Sequence, residues 1–230
     1  MIKYFFIALV FISSQSIAQG FDKGTIVVTG GIGAPHLFKG IVKIAAGSDA
    51  FKNNFGKVLE VSKITGLNPI AIKGEYGISK YFGLGFSVAF WSIKFSVKDY
   101  YNLQNQSAGN IIKDSVDSYS FKISSQSFGI RPNLHIPFKG KSSDFYIGMG
   151  LGFTKNKLAI GFSSTDAGRL AKSFGKDLEL DLSLPGGVYF SPSIGYRHYF
   201  ADFIGLNFEL GYEKGAIITG GLAIRINTKN

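Results

Sequence analysis

The chain has 230 residues, of which 45% are hydrophobic, 17% charged and none cysteine, with 30 Gly, 22 Phe and 11 Tyr. So few charges are unusual for a soluble exported domain, and without disulfides such a chain needs a large core, extensive sheet bonding or a membrane to hold it. The net charge of +10 comes mostly from scattered lysines; with no arginine cluster and no nucleic-acid-binding motif, it argues against nucleic acid as a partner.

At the N-terminus, Lys3 precedes an apolar run over residues 4–12, a polar stretch and then Ser16-Ile17-Ala18. This is the layout of a signal peptide ending in small residues, and the run is well short of the roughly 20 apolar residues of a membrane span. The expectation is a signal peptide over residues 1–18, cleaved after Ala18, and one domain over residues 19–230. No Cys follows to carry a lipid anchor. No later stretch approaches a transmembrane helix, so membrane residence would require a closed barrel, which satisfies its own backbone.

Eight segments alternate at period two, as strands do. The first covers residues 24–33. The second, 69–78, puts Ile70, Ile72, Tyr76 and Ile78 opposite Lys73 and Glu75. The third, 83–97, starts with Leu84, Phe86, Val88 and Phe90 on one face. Near Trp91 the apolar parity switches to Ile93, Phe95 and Val97, as a β-bulge or a strand leaving the bilayer would produce. The fourth, 119–136, sets Phe128, Ile130, Leu134 and Ile136 against Arg131, Asn133 and His135. The fifth, 145–154, sets Phe145, Ile147, Met149, Leu151 and Phe153 against Tyr146 and glycines. The sixth, seventh and eighth cover 188–199, 204–213 and 217–227, with Arg197, Glu209 and Arg225 on their polar faces.

Links near residues 79–82, 139–144, 201–203 and 214–216 are short. Those over 34–68, 98–118 and 155–187 are long. Short turns on one side and longer loops on the other match an outer-membrane barrel. Small residues crowd the charged faces, as a narrow eight-stranded interior requires, and Phe, Tyr, Leu and Ile crowd the others, as lipid contact requires.

The hairpin Ser191-Pro192-Ser193-Ile194-Gly195-Tyr196-Arg197-His198-Tyr199-Phe200, followed by Gly205-Leu206-Asn207-Phe208-Glu209-Leu210-Gly211-Tyr212, resembles the outer-membrane protein β-barrel domain family. That family includes barrels similar to outer-membrane protein X and to the membrane domain of outer-membrane protein A. The resemblance runs from about Gly24 to Asn227. It implies an all-β, eight-stranded antiparallel up-and-down transmembrane barrel with short periplasmic turns and longer extracellular loops. It also implies the barrel-assembly machinery as a partner, although the chain ends Asn227-Thr228-Lys229-Asn230 without the terminal aromatic such barrels usually carry.

The charges on interior faces are Lys73, Glu75, Arg131, Arg197, Glu209 and Arg225. A charge in a narrow interior is costly unless paired, so Glu75 and Glu209 are expected to pair with some of Arg131, Arg197 and Arg225, plugging the lumen. A proton or ion path is the alternative use of the same residues. His36, His135 and His198 show no metal-ligand spacing, so no metal or cofactor is expected. Ser191, Ser193, His198 and Asp202 are close in sequence, but Ser193 and His198 differ in strand parity and a catalytic triad is defined by geometry. Gly30-Gly31, Gly186-Gly187 and Gly220-Gly221 lack the context of a phosphate loop.

The first loop carries Lys39, Lys43, Lys52, Lys57 and Lys63, with Phe51, Phe55, Val58 and Leu59 at near-helical spacing, so a short amphipathic helix is expected there. The third adds Lys155, Lys157, Arg169, Lys172 and Lys176. Cations just outside the bilayer suit lipopolysaccharide phosphates. The leading expectation is therefore a barrel with a structural or surface-interaction role and no catalysis, meeting lipid, lipopolysaccharide or an unknown surface partner through its loops. The alternatives are a barrel enzyme acting on lipid or peptide, a soluble lipocalin-like ligand-binding barrel, and a narrow pore.

Overall fold

A computed structural model describes residues 20–48, 59–61, 64–100, 116–136, 142–163 and 179–227; the expected signal peptide lies outside them. The elements in chain order are β1 (Thr25–Ala34), α1 (Leu37–Gly47), β2 (Leu59–Val61), β3 (Ile70–Gly77), β4 (Phe82–Tyr100), β5 (Val116–Ile136), β6 (Ser143–Ser163), β7 (Glu179–Tyr199), β8 (Ile204–Glu213) and β9 (Ala216–Asn227). Strand β1 pairs with both β3 and β9, and pairing runs from β9 through β8, β7, β6, β5 and β4 back to β3. Eight antiparallel strands thus close a ring, and β2 adds three residues beside the far half of β4.

Closure leaves the ring without a free edge, and alternation then sorts every side chain to lumen or exterior. The polar faces turn inward. Thr29, Lys73, Glu75, Arg131, Asn133, Arg197, Asn207, Glu209 and Arg225 are all buried, whereas Phe86, Ile130, Phe153, Val188 and Phe208 are 53–70% exposed. An apolar girdle of this extent around a charged interior is the reverse of a water-soluble barrel. It therefore contradicts the lipocalin-like alternative, in which the apolar faces point inward.

The ring has two unequal halves. Strands β8, β9, β1 and β3 have 10, 12, 10 and 8 residues, whereas β4 to β7 have 19 to 21. A tilted strand of about 9–11 residues spans a bilayer, so β4 to β7 continue past it as a four-stranded wall at the long-loop end. Strand β4 pairs with β5 without interruption from Phe82↔Leu134 to Tyr100↔Val116. The parity switch near Trp91 is therefore no bulge: the backbone continues unbroken and the surroundings change. Below Trp91 the outward side chains are apolar; above it the inward ones are, as Ile93, Phe95, Tyr119 and Phe121 continue the lumen-facing rows.

That wall corrects two expectations. Lys155 and Lys157 lie not in a loop but in β6, opposite Gln126 and Ser124. Residues 179–187 are likewise strand, not loop. The breaker sequence Pro185-Gly186 is absorbed as a bulge, where Thr154↔Gly187 is followed by Asn156↔Leu184 and the extra residue on β7 needs no ladder partner. A helix forms over Leu37–Gly47 in the first loop, with its apolar residues Phe38, Ile41, Val42, Ala45 and Ala46 on one side. His36 caps it by accepting from the Lys39 amide, and Phe38 stacks on Trp91 with centroids 4.6 Å apart. Leu59 begins β2; Phe51, Phe55 and Val58 lie outside the described residues.

At the β1–β9 seam Gly31 pairs with Gly221, and a Cβ on Gly221 would run into the Gly30 carbonyl. Gly221→Val should therefore block closure, at a cost of about 1–3 kcal/mol or more. Gly187, where a Cβ meets nothing within 4 Å, should accept alanine. On an unheated gel, Gly187→Ala should keep the fast-migrating folded band and Gly221→Val should lose it.

Candidate functional site

Period-two alternation on β3, β5, β6, β7 and β8 brings charged side chains into one lumen, some from paired strands, as Asp144 opposite Arg197, and others from strands that do not pair, as Lys73 and Glu209. Two clusters result. In the first, Lys73 Nζ lies 2.5 Å from Glu209 Oε2 and 2.8 Å from Glu213 Oε2. Arg131 forks onto the same two carboxylates at 2.9 Å each and also donates to Ser193 Oγ. In the second, Arg197 reaches Glu75 at 2.6 Å and Asp144 at 3.0 Å. His135 Nε2 lies 2.6 Å from Glu75 and Nδ1 2.7 Å from Asp144, so each ring nitrogen faces a carboxylate.

Tyr146 joins the two clusters. Its hydroxyl donates to Glu209 Oε1 at 2.6 Å, with Asn207 Oδ1 2.8 Å away, and the Arg197 guanidinium sits 4.1 Å from its ring centroid. The ring has room only because its cross-strand neighbour on β7 is Gly195, where a Cβ would strike it.

Of the six interior charges named from sequence, five belong to these clusters. Arg225 stands apart: it is buried, but donates to the Asp202 and Gly20 carbonyls and lies over the Tyr199 ring at 4.0 Å. Sequence reasoning left His135, Asp144, Tyr146 and Glu213 out of the network, although the inward parity of His135, Tyr146 and Glu213 was legible. Asp144 fell in an expected turn. Phe21 was likewise unforeseen; it stacks on His135 at 3.5 Å and tucks the N-terminal segment against the second cluster.

Lys214, in the turn between β8 and β9, folds its amine into the long-loop mouth of the barrel. Its Nζ is 3.1 Å from Ser87 Oγ, 3.7 Å from Glu213 Oε1 and 4.4 Å from the Tyr189 ring centroid. Burial pulls its pKa from the ordinary 10.5 down to about 8, with Lys73 and Arg131 adding to the fall and Glu213 opposing it. The Tyr189 hydroxyl is 3.3 Å from Ser87 Oγ. A hydroxyl, an amine and a phenol in contact resemble a nucleophile with its base, but Ser87 is 1% exposed, which leaves no approach for a substrate carbonyl. The other serines do no better: Ser193 is bound by Arg131 in the lumen, and His198 sits on the opposite face beside Ser143. Among the described residues there is no group of His, Asp or Glu able to hold a metal.

The loop lysines divide. Lys39 and Lys43 are on α1, whereas Lys52, Lys57, Lys63, Arg169, Lys172 and Lys176 lie outside the described residues.

Buried ion pairs stabilise little against an apolar replacement of the whole set, but removing one partner strands the others and costs about 3–5 kcal/mol. Glu209→Gln should lose that much. Arg225→Met, whose partners are carbonyls, should lose about 1–3 kcal/mol. Urea unfolding followed by the fluorescence of the single tryptophan measures both. Between the folded pKa of Lys214, about 8, and its ordinary 10.5, the unfolded chain holds a proton that the barrel has shed. Stability should therefore rise with pH across that window, and Lys214→Met should flatten the rise in urea midpoints taken from pH 7.5 to 10.5.

No family model and no curated protein matches the chain. Among solved structures it is similar to Ail, the attachment invasion locus protein of Yersinia pestis, at 15% identity and a TM-score of 0.35, covering 89% of this chain and 99% of that one. The same protein in complex with the heparin analogue sucrose octasulfate gives 14% and 0.37, covering 89% and 99%. The N-terminal β-barrel domain of Pseudomonas aeruginosa OprF gives 10% and 0.37, covering 90% and 100%.

Proposed function

We propose that residues 19–230 form an outer-membrane barrel, exported by a signal peptide cleaved after Ala18 and inserted by the barrel-assembly machinery. Its role is structural and surface-interacting, and it carries out no catalysis. The observation that carries this reading is the inversion of the ring: charges bonded to one another inside, and apolar side chains around the outside. Such a ring is stable only where lipid replaces water. The four short links then number three on the periplasmic side and one outside, and the wall formed by β4 to β7 projects from the cell. Lys39 and Lys43, on the helix beside that wall, meet lipopolysaccharide phosphates or a surface partner.

A plug of ion pairs spanning the lumen favours a closed barrel over a pore. Fractionation with an unheated and a boiled gel lane should give a heat-modifiable band in the outer membrane, and the purified protein should give no steady conductance in a planar bilayer. A soluble, unshifted band would refute the membrane reading. A stable open level, abolished by salt-bridge variants, would replace the structural role with a pore. Lys39→Gln with Lys43→Gln should weaken capture of lipopolysaccharide severalfold in low salt if those helix lysines make the contact.

A further inference from the structure

We propose that the outer surface of β4 to β7 is a specific seat for one lipopolysaccharide molecule, with phosphates on strand lysines and an acyl chain in a groove below them. The inference rests on the outer-membrane reading above and assigns the contact to residues other than the loop lysines.

The groove is a recess of about 640 Å³ on the lipid-facing side, walled by Phe86, Phe128, Phe153 and Val188 over the cross-strand pair Gly129–Gly152. Its walls are apolar and exposed, so a hydrocarbon chain is the chemistry that fits. Directly above it the same outward rows turn cationic. Lys155 is the next outward residue after Phe153 on β6, about 7 Å farther along the strand, and Lys157 follows it. On the neighbouring strands Lys94 and Lys122 stand directly opposite one another.

Like charges directly opposite in a sheet are destabilising, and the neighbouring strands offer the Lys94–Lys122 pair no relief. All four are exposed, and among the described residues none forms an ion pair. The one acidic side chain described on this outward face is Asp181, which is diagonal to Lys157 on the adjacent strand but two strands from Lys122, so it leaves the Lys94–Lys122 pair uncompensated. An anion supplied from outside the chain neutralises the Lys94–Lys122 pair. Lys122 and Lys157 are diagonal neighbours, about 7–8 Å apart in a sheet, so the patch spans more than one phosphate. A phospholipid with a single headgroup, such as phosphatidylglycerol, brings one phosphate, whereas the acylated, bisphosphorylated sugar base of lipopolysaccharide brings two, each within reach of a lysine while a chain drops into the groove.

The test uses the full mature barrel refolded in detergent, with rough lipopolysaccharide as the probe and native mass spectrometry as the readout. Wild type should hold one lipopolysaccharide. Lys122→Gln with Lys155→Gln and Lys157→Gln should weaken binding at least tenfold, and added salt should do likewise to the wild type. Val188→Trp fills the groove from the lipid side without touching the lumen; it should weaken binding while leaving the salt dependence intact. Each variant is first checked for its heat-modifiable band. Unchanged binding in the triple variant overturns the proposal. So does displacement by millimolar inorganic phosphate, which would indicate a free-anion site, or equal retention of phosphatidylglycerol, which would indicate an unselective lipid surface. If only Lys39→Gln with Lys43→Gln reduces binding, the strand seat fails while the surface role survives. A soluble band on fractionation fails the outer-membrane reading itself.

Discussion

A ring of eight strands encloses a space only wide enough for side chains, and everything else in this barrel answers to that narrowness. Interior positions must be filled, and their polar groups largely paired. The chain does so with a few long charged side chains laid across a lumen otherwise lined mainly by small residues, and it leaves Arg131 Nε, Arg197 Nε, Asn133 Oδ1, the Tyr199 hydroxyl and Glu213 Oε1 without a hydrogen bond among the described residues. Gly195 and Gly148 clear volume for Tyr146 and Arg131. Lys73, Arg131, Glu209 and Glu213 then close the gap between walls that share no backbone bond. These pairs serve as cross-braces between strands, so their contribution lies in fixing which strands oppose which across the lumen.

Much of this was legible in the chain itself. Alternation alone separated Lys73 and Glu75 from Ile72 and Tyr76, and it did so for most of the membrane-spanning segments, because a strand buried on its polar side has only two faces to fill. Small residues opposite large aromatics said which face pointed inward. The identity of the pairs was not legible. That Glu209 meets Lys73 while Glu75 meets Arg197 depends on the tilt and stagger of the ring, which sets heights inside the lumen and leaves no trace in a one-dimensional pattern.

The wall was misjudged for a related reason. Above the bilayer, water replaces lipid outside, so the apolar residues of β4 to β6 move to the opposite face while the ladder continues. A reader who takes parity as the mark of a strand sees a break at Trp91 and loops beyond Thr154. The helix over Leu37–Gly47 was legible too, since Phe38, Ile41, Val42, Ala45 and Ala46 carry an apolar stripe at helical spacing.

The distances along the chain spanned by the cross-braces also bear on how the barrel is made. Lys73 and Glu209 are separated by 136 positions, and Glu75 and Arg197 by 122. Hairpins built early therefore carry charges whose partners arrive late, and a half-inserted sheet exposes those charges on the face that will become the lumen. Pairing and the joining of β1 to β9 become satisfiable together, so an open sheet is penalised until the last hairpin docks. A barrel closed out of register would leave these charges unmatched in its lumen, at the cost of unpaired buried ions.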